Sequence, residues 1–183
     1  MTDLLLHICC APCLCWPHHE LTGEGKTFTG LWFNPTIHPY TEYAKRRDAV
    51  KTFAAASGIE LICQDDYPLE QTLQVLAQKR CAACYRIRLE QTARLARQQG
   101  FTAFSTTLLY SVYQQHDLIH DIGSRMGREY NVEFFYRDYR TGWRQGREMA
   151  QQRELYRQKY CGCIFSERDR YLGKHAGKVT GER

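Results

Sequence analysis

Three adjacent leucines, Leu4-Leu5-Leu6, run into His7-Ile8-Cys9-Cys10-Ala11-Pro12-Cys13-Leu14-Cys15. The leucines read as a short buried strand, and polar sequence follows Pro17. Four thiols therefore stand where a strand gives way to the next element. In an open α/β sheet that place, the carboxyl end of a strand, is where ligands bind. Two more cysteine pairs lie far away in sequence, Cys81-Ala82-Ala83-Cys84 and Cys161-Gly162-Cys163. Any fold open to this chain either gathers these three places or scatters them.

At 183 residues the chain is long enough for one domain with a real core. We expect that domain over 1–172, with a flexible tail over 173–183. No apolar run is long enough to span a bilayer. Met1-Thr2-Asp3 carries no basic leader, so the expected location is the cytosol. Nine cysteines in that reducing compartment point to metal or redox chemistry rather than to disulfide staples. A net charge of +5 with 13% aromatics suits an RNA partner, although charge alone is as simply read as a solvated basic surface.

Short β-like runs alternate with longer helical ones. Strands are expected over 4–8, 28–33, 59–63, 102–106 and 132–136. Helices are expected over 12–21, from an N-cap at Thr41 to Gly58, over 68–78, 81–99, 113–127 and 144–157. Asn34-Pro35-Thr36-Ile37-His38-Pro39 is a loop, because two prolines bar a regular element. Glu167-Arg168-Asp169-Arg170 reads as a solvated charged run. The alternation predicts an α/β fold, a mostly parallel sheet of about five strands with helices on both faces.

Cys81-x-x-Cys84 at a helix start can place two thiols on one metal or cluster, with the helix dipole favouring thiolate. A redox dithiol and two unrelated buried cysteines fit the same spacing. Cys9 and Cys10 would face apart in an extended segment, so both serve metals only if the metals differ or the strand has already ended. Cys161-x-Cys163 is tight for one ion, and Gly162 permits an unusual backbone there. Seven thiols exceed the four that one tetrahedral zinc or one four-thiolate cluster uses, and a cluster plus a three-ligand metal accounts for all seven. Cys15 and Cys63 are left as core residues. His116 and His120 share a helix face but lack a metalloprotease glutamate and read as a surface pair, as do the adjacent His18 and His19. His7 is either a satisfied core histidine or a functional one. No phosphate-binding glycine loop and no GxSxG motif occur.

Five segments in order carry a resemblance over nearly the whole chain, to about Arg170. They are His7 to Cys13; Asn34 to Tyr43 with Arg46-Arg47; Arg80-Cys81-Ala82-Ala83-Cys84-Tyr85; Phe104-Ser105-Thr106-Thr107-Leu108; and Tyr156 to Ser166. Together they resemble the epoxyqueuosine reductases of the QueH type. The resemblance implies a Rossmann-like, adenine-nucleotide α-hydrolase-like fold. It implies reduction of the epoxide of epoxyqueuosine to queuosine at the wobble position of tRNAs with a GUN anticodon, without cobalamin. It also implies a [4Fe-4S] cluster beside a mononuclear metal, taken here as iron.

By the same likeness Cys13 goes to the single metal, and Cys81 and Cys84 to the cluster. One member each of Cys9/Cys10 and Cys161/Cys163 would go to each centre. Such an enzyme needs an external electron donor and a proton donor, for which His7, His38 and Tyr85 are candidates. Tyr40, Tyr43 and Tyr113 could stack on the base and Asn34 could bond a polar edge. Lys45, Arg46, Arg47, Arg86 and Arg88, with Arg137, Arg140 and Arg144, could meet phosphate. Two rivals are a tRNA sulfur-transfer enzyme, which lacks its phosphate loop here, and a non-enzymatic zinc protein.

Overall fold

The computed structural model describes residues 4–173. The expected tail over 173–183 lies, beyond its first residue, outside them. Five strands form one sheet: β1 (Leu4–His7), β2 (Thr29–Trp32), β3 (Leu61–Cys63), β4 (Ala103–Thr106) and β5 (Glu133–Phe134). Every pairing is parallel, and the order is β3-β2-β1-β4-β5. Six helices accompany them: α1 (Ala11–Gly23), α2 (Tyr40–Ala56), α3 (Leu69–Gln99), α4 (His116–Tyr130), α5 (Trp143–Gln152) and α6 (Ile164–Tyr171).

The period-2 alternation of β1 builds two cores. Leu5, with Leu31 and Phe104, packs toward Leu89, Ala93 and Ala96 of α3 and Ile119, Ile122 and Met126 of α4. Leu4 and Leu6, with Trp32, pack toward Leu14 and Leu21 of α1, Tyr43, Val50 and Phe53 of α2, and Ala150 of α5. Helices therefore cover both faces, which is what an all-parallel sheet requires. No helix of the described residues is long and apolar enough to cross a membrane.

The sheet order places the site. The chain moves outward from β1 through β2 to β3, then returns to β1's other side at β4. The crevice between the carboxyl ends of β1 and β4 is the switch point. His7 pairs with Thr106 there, so Cys9 and Thr107 leave the sheet side by side.

Several boundaries differ from the expectation. α2 begins at Tyr40 behind Pro39, so Thr41 is inside the helix. The expected helices over 68–78 and 81–99 form one element, broken by non-helical backbone at Lys79 and Arg80. α4 begins at His116, because a 3-10 turn over Thr107–Tyr110 and a loop occupy the preceding residues. α5 ends at Gln152, leaving 153–163 as a loop. The charged run at 167–170 is helical, within α6. Cys63, expected in the core, is exposed because β3 is an edge strand. His116, expected at the surface, is buried with Nε2 3.3 Å from the Ser111 carbonyl, while its neighbour His120 lies outside against Tyr136.

Candidate metal centre

β1 ends at His7, and Cys10 is already the N-cap of α1, its sulfur accepting from the Cys13 backbone N–H at 3.3 Å. The chain has turned, so Cys9 and Cys10 do not face apart. Their sulfurs are 3.9 Å apart. The Cys13 sulfur joins them, and all three lie within 4.8 Å of one another. Two thiolates bound at about 2.3 Å to one tetrahedral metal stand about 3.8 Å apart, so this trio fits a single ion.

The surroundings select which sulfur carries charge. Hydrogen bonds from the Cys10 and Cys13 thiols, then from the Thr107 hydroxyl at 3.3 Å, hold Cys9 well below the usual thiol value against the opposing effect of burial. Burial pushes Cys10 upward. Cys13 is pushed upward by the bonds it gives to Cys10 and Cys9. The Thr107 hydroxyl also accepts from the Cys9 backbone N–H at 3.0 Å. Gln158 places its side-chain N–H on the Cys10 sulfur at 3.0 Å, while its buried Oε1 has no partner.

The other four candidate thiols line one small cavity of about 60 Å³, together with Arg80, Tyr85, Arg88, Gln114 and Ser166. The break at Lys79 and Arg80 starts a new helical segment at Cys81. Cys81, Cys84, Tyr85 and Arg88 then follow at i, i+3, i+4 and i+7, all on one face. The opposite wall is the Cys161-Gly162-Cys163 loop. Cys9, Cys10 and Cys13 share a buried cluster with Tyr85, and Cys81 of this cavity packs against that cluster. A wider open depression of about 440 Å³ over Ser124 to Phe134 holds no cysteine or histidine.

The distant loop is docked by Arg46. Its guanidinium donates to the carbonyls of Cys161 at 3.0 Å and Tyr160 at 2.9 Å, and its Nε to Glu42 Oε1 at 2.7 Å. The Tyr156 hydroxyl donates to the other oxygen of Glu42. The His38 backbone N–H donates to the Gly162 carbonyl at 2.7 Å. Gly162 has φ +113°, and a Cβ there would stand 3.0 Å from both Arg46 Nη1 and Ile37 Cγ1. Only glycine suits that backbone and that approach.

The structure thus gathers the seven thiols as three and four, with Cys9/Cys10 on one side and Cys161/Cys163 on the other. Cys15 stays outside, its thiol directed to the Ala11 carbonyl one turn back.

The remaining candidates fare differently. His7 is wholly buried. Its Nε2 faces the Phe33 carbonyl at 3.1 Å, which can only accept, so Nε2 carries the hydrogen and Nδ1 accepts from Thr106 Oγ1 at 2.9 Å. Burial, then the charge of Arg88, lowers its pKa to about 4. His7 is therefore a satisfied neutral core histidine. Asn34 is used likewise, donating to the Ile8 carbonyl at 2.8 Å with Oδ1 against His7, so no base edge meets it. His38 is 2% exposed, neither ring nitrogen has a partner, and burial lowers its pKa. Tyr85 donates to Gln114 Oε1 at 2.7 Å and accepts from the Gln115 N–H. Burial raises its phenol, so the proton stays on.

Tyr43 is enclosed between Trp32 and Asp65, both hydrogen-bonded to its hydroxyl, and cannot stack on a base. Tyr40 and Tyr113 are 53% and 81% exposed. Arg46 and Arg88 are buried and cannot reach a phosphate. Arg47 is tied to Asp48 and Asp65, Arg86 to Glu90, Arg137 to Glu24, and Arg140 to Asp138. Arg144 is largely exposed with Glu148 3.7 Å away, and Arg147 lies over Trp143 beside Tyr113. Lys45 lies over the Tyr156 ring.

Thr36, Thr107, Gln114, Gln158 and Ser166 were not singled out from sequence as site residues. Thr107 sits next to the strand end that pairs with His7, which is a readable signal. Thr36 touches the Cys84 sulfur at 3.3 Å and Ser166 the Cys161 sulfur at 3.0 Å. The periodicity from Cys81 to Arg88 was also there to be read.

Comparison with known proteins gives one consistent result. Residues 4–169 match the family model described as "Epoxyqueuosine reductase QueH". A curated protein of that name from Dehalococcoides mccartyi is 34% identical over 171 residues, covering 92% of this chain and 94% of the relative. One from Thermotoga maritima is 34% identical over 189 residues, covering 96% and 95%. One from Streptococcus pyogenes is 31% identical, covering 90% and 70%.

Proposed function

The chain belongs to the QueH family of epoxyqueuosine reductases, and from that membership we propose that it is an oxidoreductase converting the epoxide of epoxyqueuosine to the alkene of queuosine at the wobble position of tRNAs with a GUN anticodon. The observation that carries this reading is the grouping of seven thiols as a set of three just past the carboxyl end of β1 and a set of four lining one small cavity.

The four-thiol cavity has the donor set of a [4Fe-4S] cluster: Cys81, Cys84, Cys161 and Cys163. The trio Cys9, Cys10 and Cys13 has the donor set and spacing for one iron with an open position. When bound, these centres supply single electrons, drawn from an external donor, and a Lewis acid for the epoxide oxygen. The protein does the rest. Thr107 and Gln158 fix the trio's sulfurs by hydrogen bonds, and Thr107 helps keep Cys9 as thiolate. Tyr85 is the proton donor best supported, because its proton is retained, it lines the cavity, and it is hydrogen-bonded to Gln114, which lines the same cavity. His38, with both ring nitrogens free, is second. Deoxygenation consumes two electrons and two protons and releases water.

The tRNA surface we favour is the one carrying Tyr113, Trp143, Arg144 and Arg147, with Tyr40 on a separate exposed site. A loop nucleotide can stack on exposed aromatics while arginines meet phosphate. A tRNA substrate and nine free thiols suit a cytosolic enzyme.

The test is anaerobic purification with iron and sulfide analysis, then conversion of epoxyqueuosine-tRNA under dithionite. About five irons and four sulfides per chain are expected. A colourless, iron-free protein that leaves the substrate unchanged would remove this reading in favour of a zinc protein.

A further inference from the structure

Arg88 is a buried cation with no carboxylate partner among the described residues. It is 3% exposed, and its Nε has no hydrogen-bond partner. The contrast is Arg46, 2% exposed, which has Glu42 and two backbone carbonyls. An unpaired guanidinium is costly to bury and, unlike lysine, does not shed its proton to escape.

The groups around Arg88 show which way its charge acts. Burial, then the charge of Arg88, lowers the pKa of His38. Cys84 stands one turn before Arg88 on the same helix face. Arg88 also lines the cavity with Cys81, Cys84, Cys161 and Cys163. The candidate anion that faces it is therefore whatever those four sulfurs hold.

We propose that Arg88 is an electrostatic positioning residue for the four-thiol site, a fixed buried positive charge that offsets the negative charge of the bound group and favours its reduced state. This rests on the reading that the four thiolates hold an iron–sulfur cluster. Each electron accepted there adds one negative charge in a low-dielectric cavity, and Arg88 stabilises that added charge. The same logic makes Arg88 a burden on the metal-free protein.

The experiment uses the full chain, anaerobically reconstituted with iron and sulfide, in wild-type, Arg88→Gln, Arg88→Met and Arg88→Lys forms. Iron and sulfide are counted, and the cluster is titrated by electron paramagnetic resonance during stepwise reduction with dithionite. Both neutral variants should load normally. At a fixed solution potential their reduced-to-oxidised ratio should fall about tenfold, which is about 59 mV for a one-electron couple. Arg88→Lys should recover most of that ratio. Melting of the metal-free protein should rise in Arg88→Met, with a smaller gain on loading than in wild type.

Normal loading with an unchanged ratio in the neutral variants would overturn the role of Arg88 and leave the cluster reading standing. A wild type that takes up no iron and sulfide would remove the cluster reading and this proposal with it. Metal-free neutral variants that fail to fold, while Arg88→Lys folds, would also overturn it, because the charge would then serve the fold and not the bound group.

Discussion

At the scale of single residues, the site depends on polar groups placed against sulfur and on one glycine. Thr107 both accepts the Cys9 N–H and donates to the Cys9 sulfur. Thr107→Val keeps the shape and removes both bonds, leaving a buried N–H unsatisfied at about 1–3 kcal/mol. The expected result is a lower urea midpoint and weaker metal binding by the trio, read with cobalt(II) through thiolate charge-transfer absorption. Unchanged cobalt affinity would show that Thr107 does not condition Cys9. Gly162→Ala forces a side chain into a positive-φ backbone and against Arg46 and Ile37, costing about 1–3 kcal/mol. Iron and sulfide retained by this variant should drop, while the three-thiol group still takes up metal. The cysteines were legible from sequence because their spacing is chemical information in itself. Arg46 was not. A side chain in an Arg46-Arg47 pair on a basic chain resembles a phosphate ligand, and only the packed loop at 160–163 shows that it faces inward.

At the scale of elements, the strand alternation and helix periods gave the sheet and its two covered faces, because burial on both sides leaves a clear apolar pattern. The ends of elements were less legible. The break at Lys79 and Arg80 could be inferred only as a gap between two helices, yet it sets Cys81 and Cys84 at the start of a segment facing the cavity. The facing wall is held by α2, through Arg46 and Glu42. Arg46→Ala leaves the Glu42 carboxylate buried with only Tyr156 to bond it, which costs about 3–5 kcal/mol. We expect that variant to melt at a clearly lower temperature and to lose the four-thiol centre first. By contrast, Arg80→Ala breaks a half-exposed pair with Asp169 on α6 and a contact over the Phe165 ring, together worth about 1–2 kcal/mol, and should lower the melting temperature only slightly.

At the scale of the whole molecule, four histidines in separate places, His7, His18, His38 and His116, are all held below their usual value, burial being the first cause in each. Their folded-state values lie below the unfolded one, so the unfolded chain binds more protons as pH falls. The stability they support is complete above about pH 6.5 and is lost below it, down toward about 4 for His7. Urea unfolding of the metal-free protein should therefore show a falling midpoint from pH 7.5 to pH 5, and a flat or rising one would contradict these assignments. Among the described residues the lowered acids Glu24, Asp65, Asp138 and Asp169 act in the same direction, and they titrate below that window.

The loop at 161–163 closes a cavity whose other wall begins eighty residues earlier. A ribosome emits a chain from its amino end, so the four-thiol set does not exist until Cys163 has been made. The trio at Cys9, Cys10 and Cys13 is exposed long before. Under the proposed function, metal delivery to the two places has an order imposed by synthesis, and an early ion captured by the trio meets no competing site from Cys161 and Cys163. On the same reading, assembly of the larger centre waits for the segment at 160–163, which Arg46 holds in place.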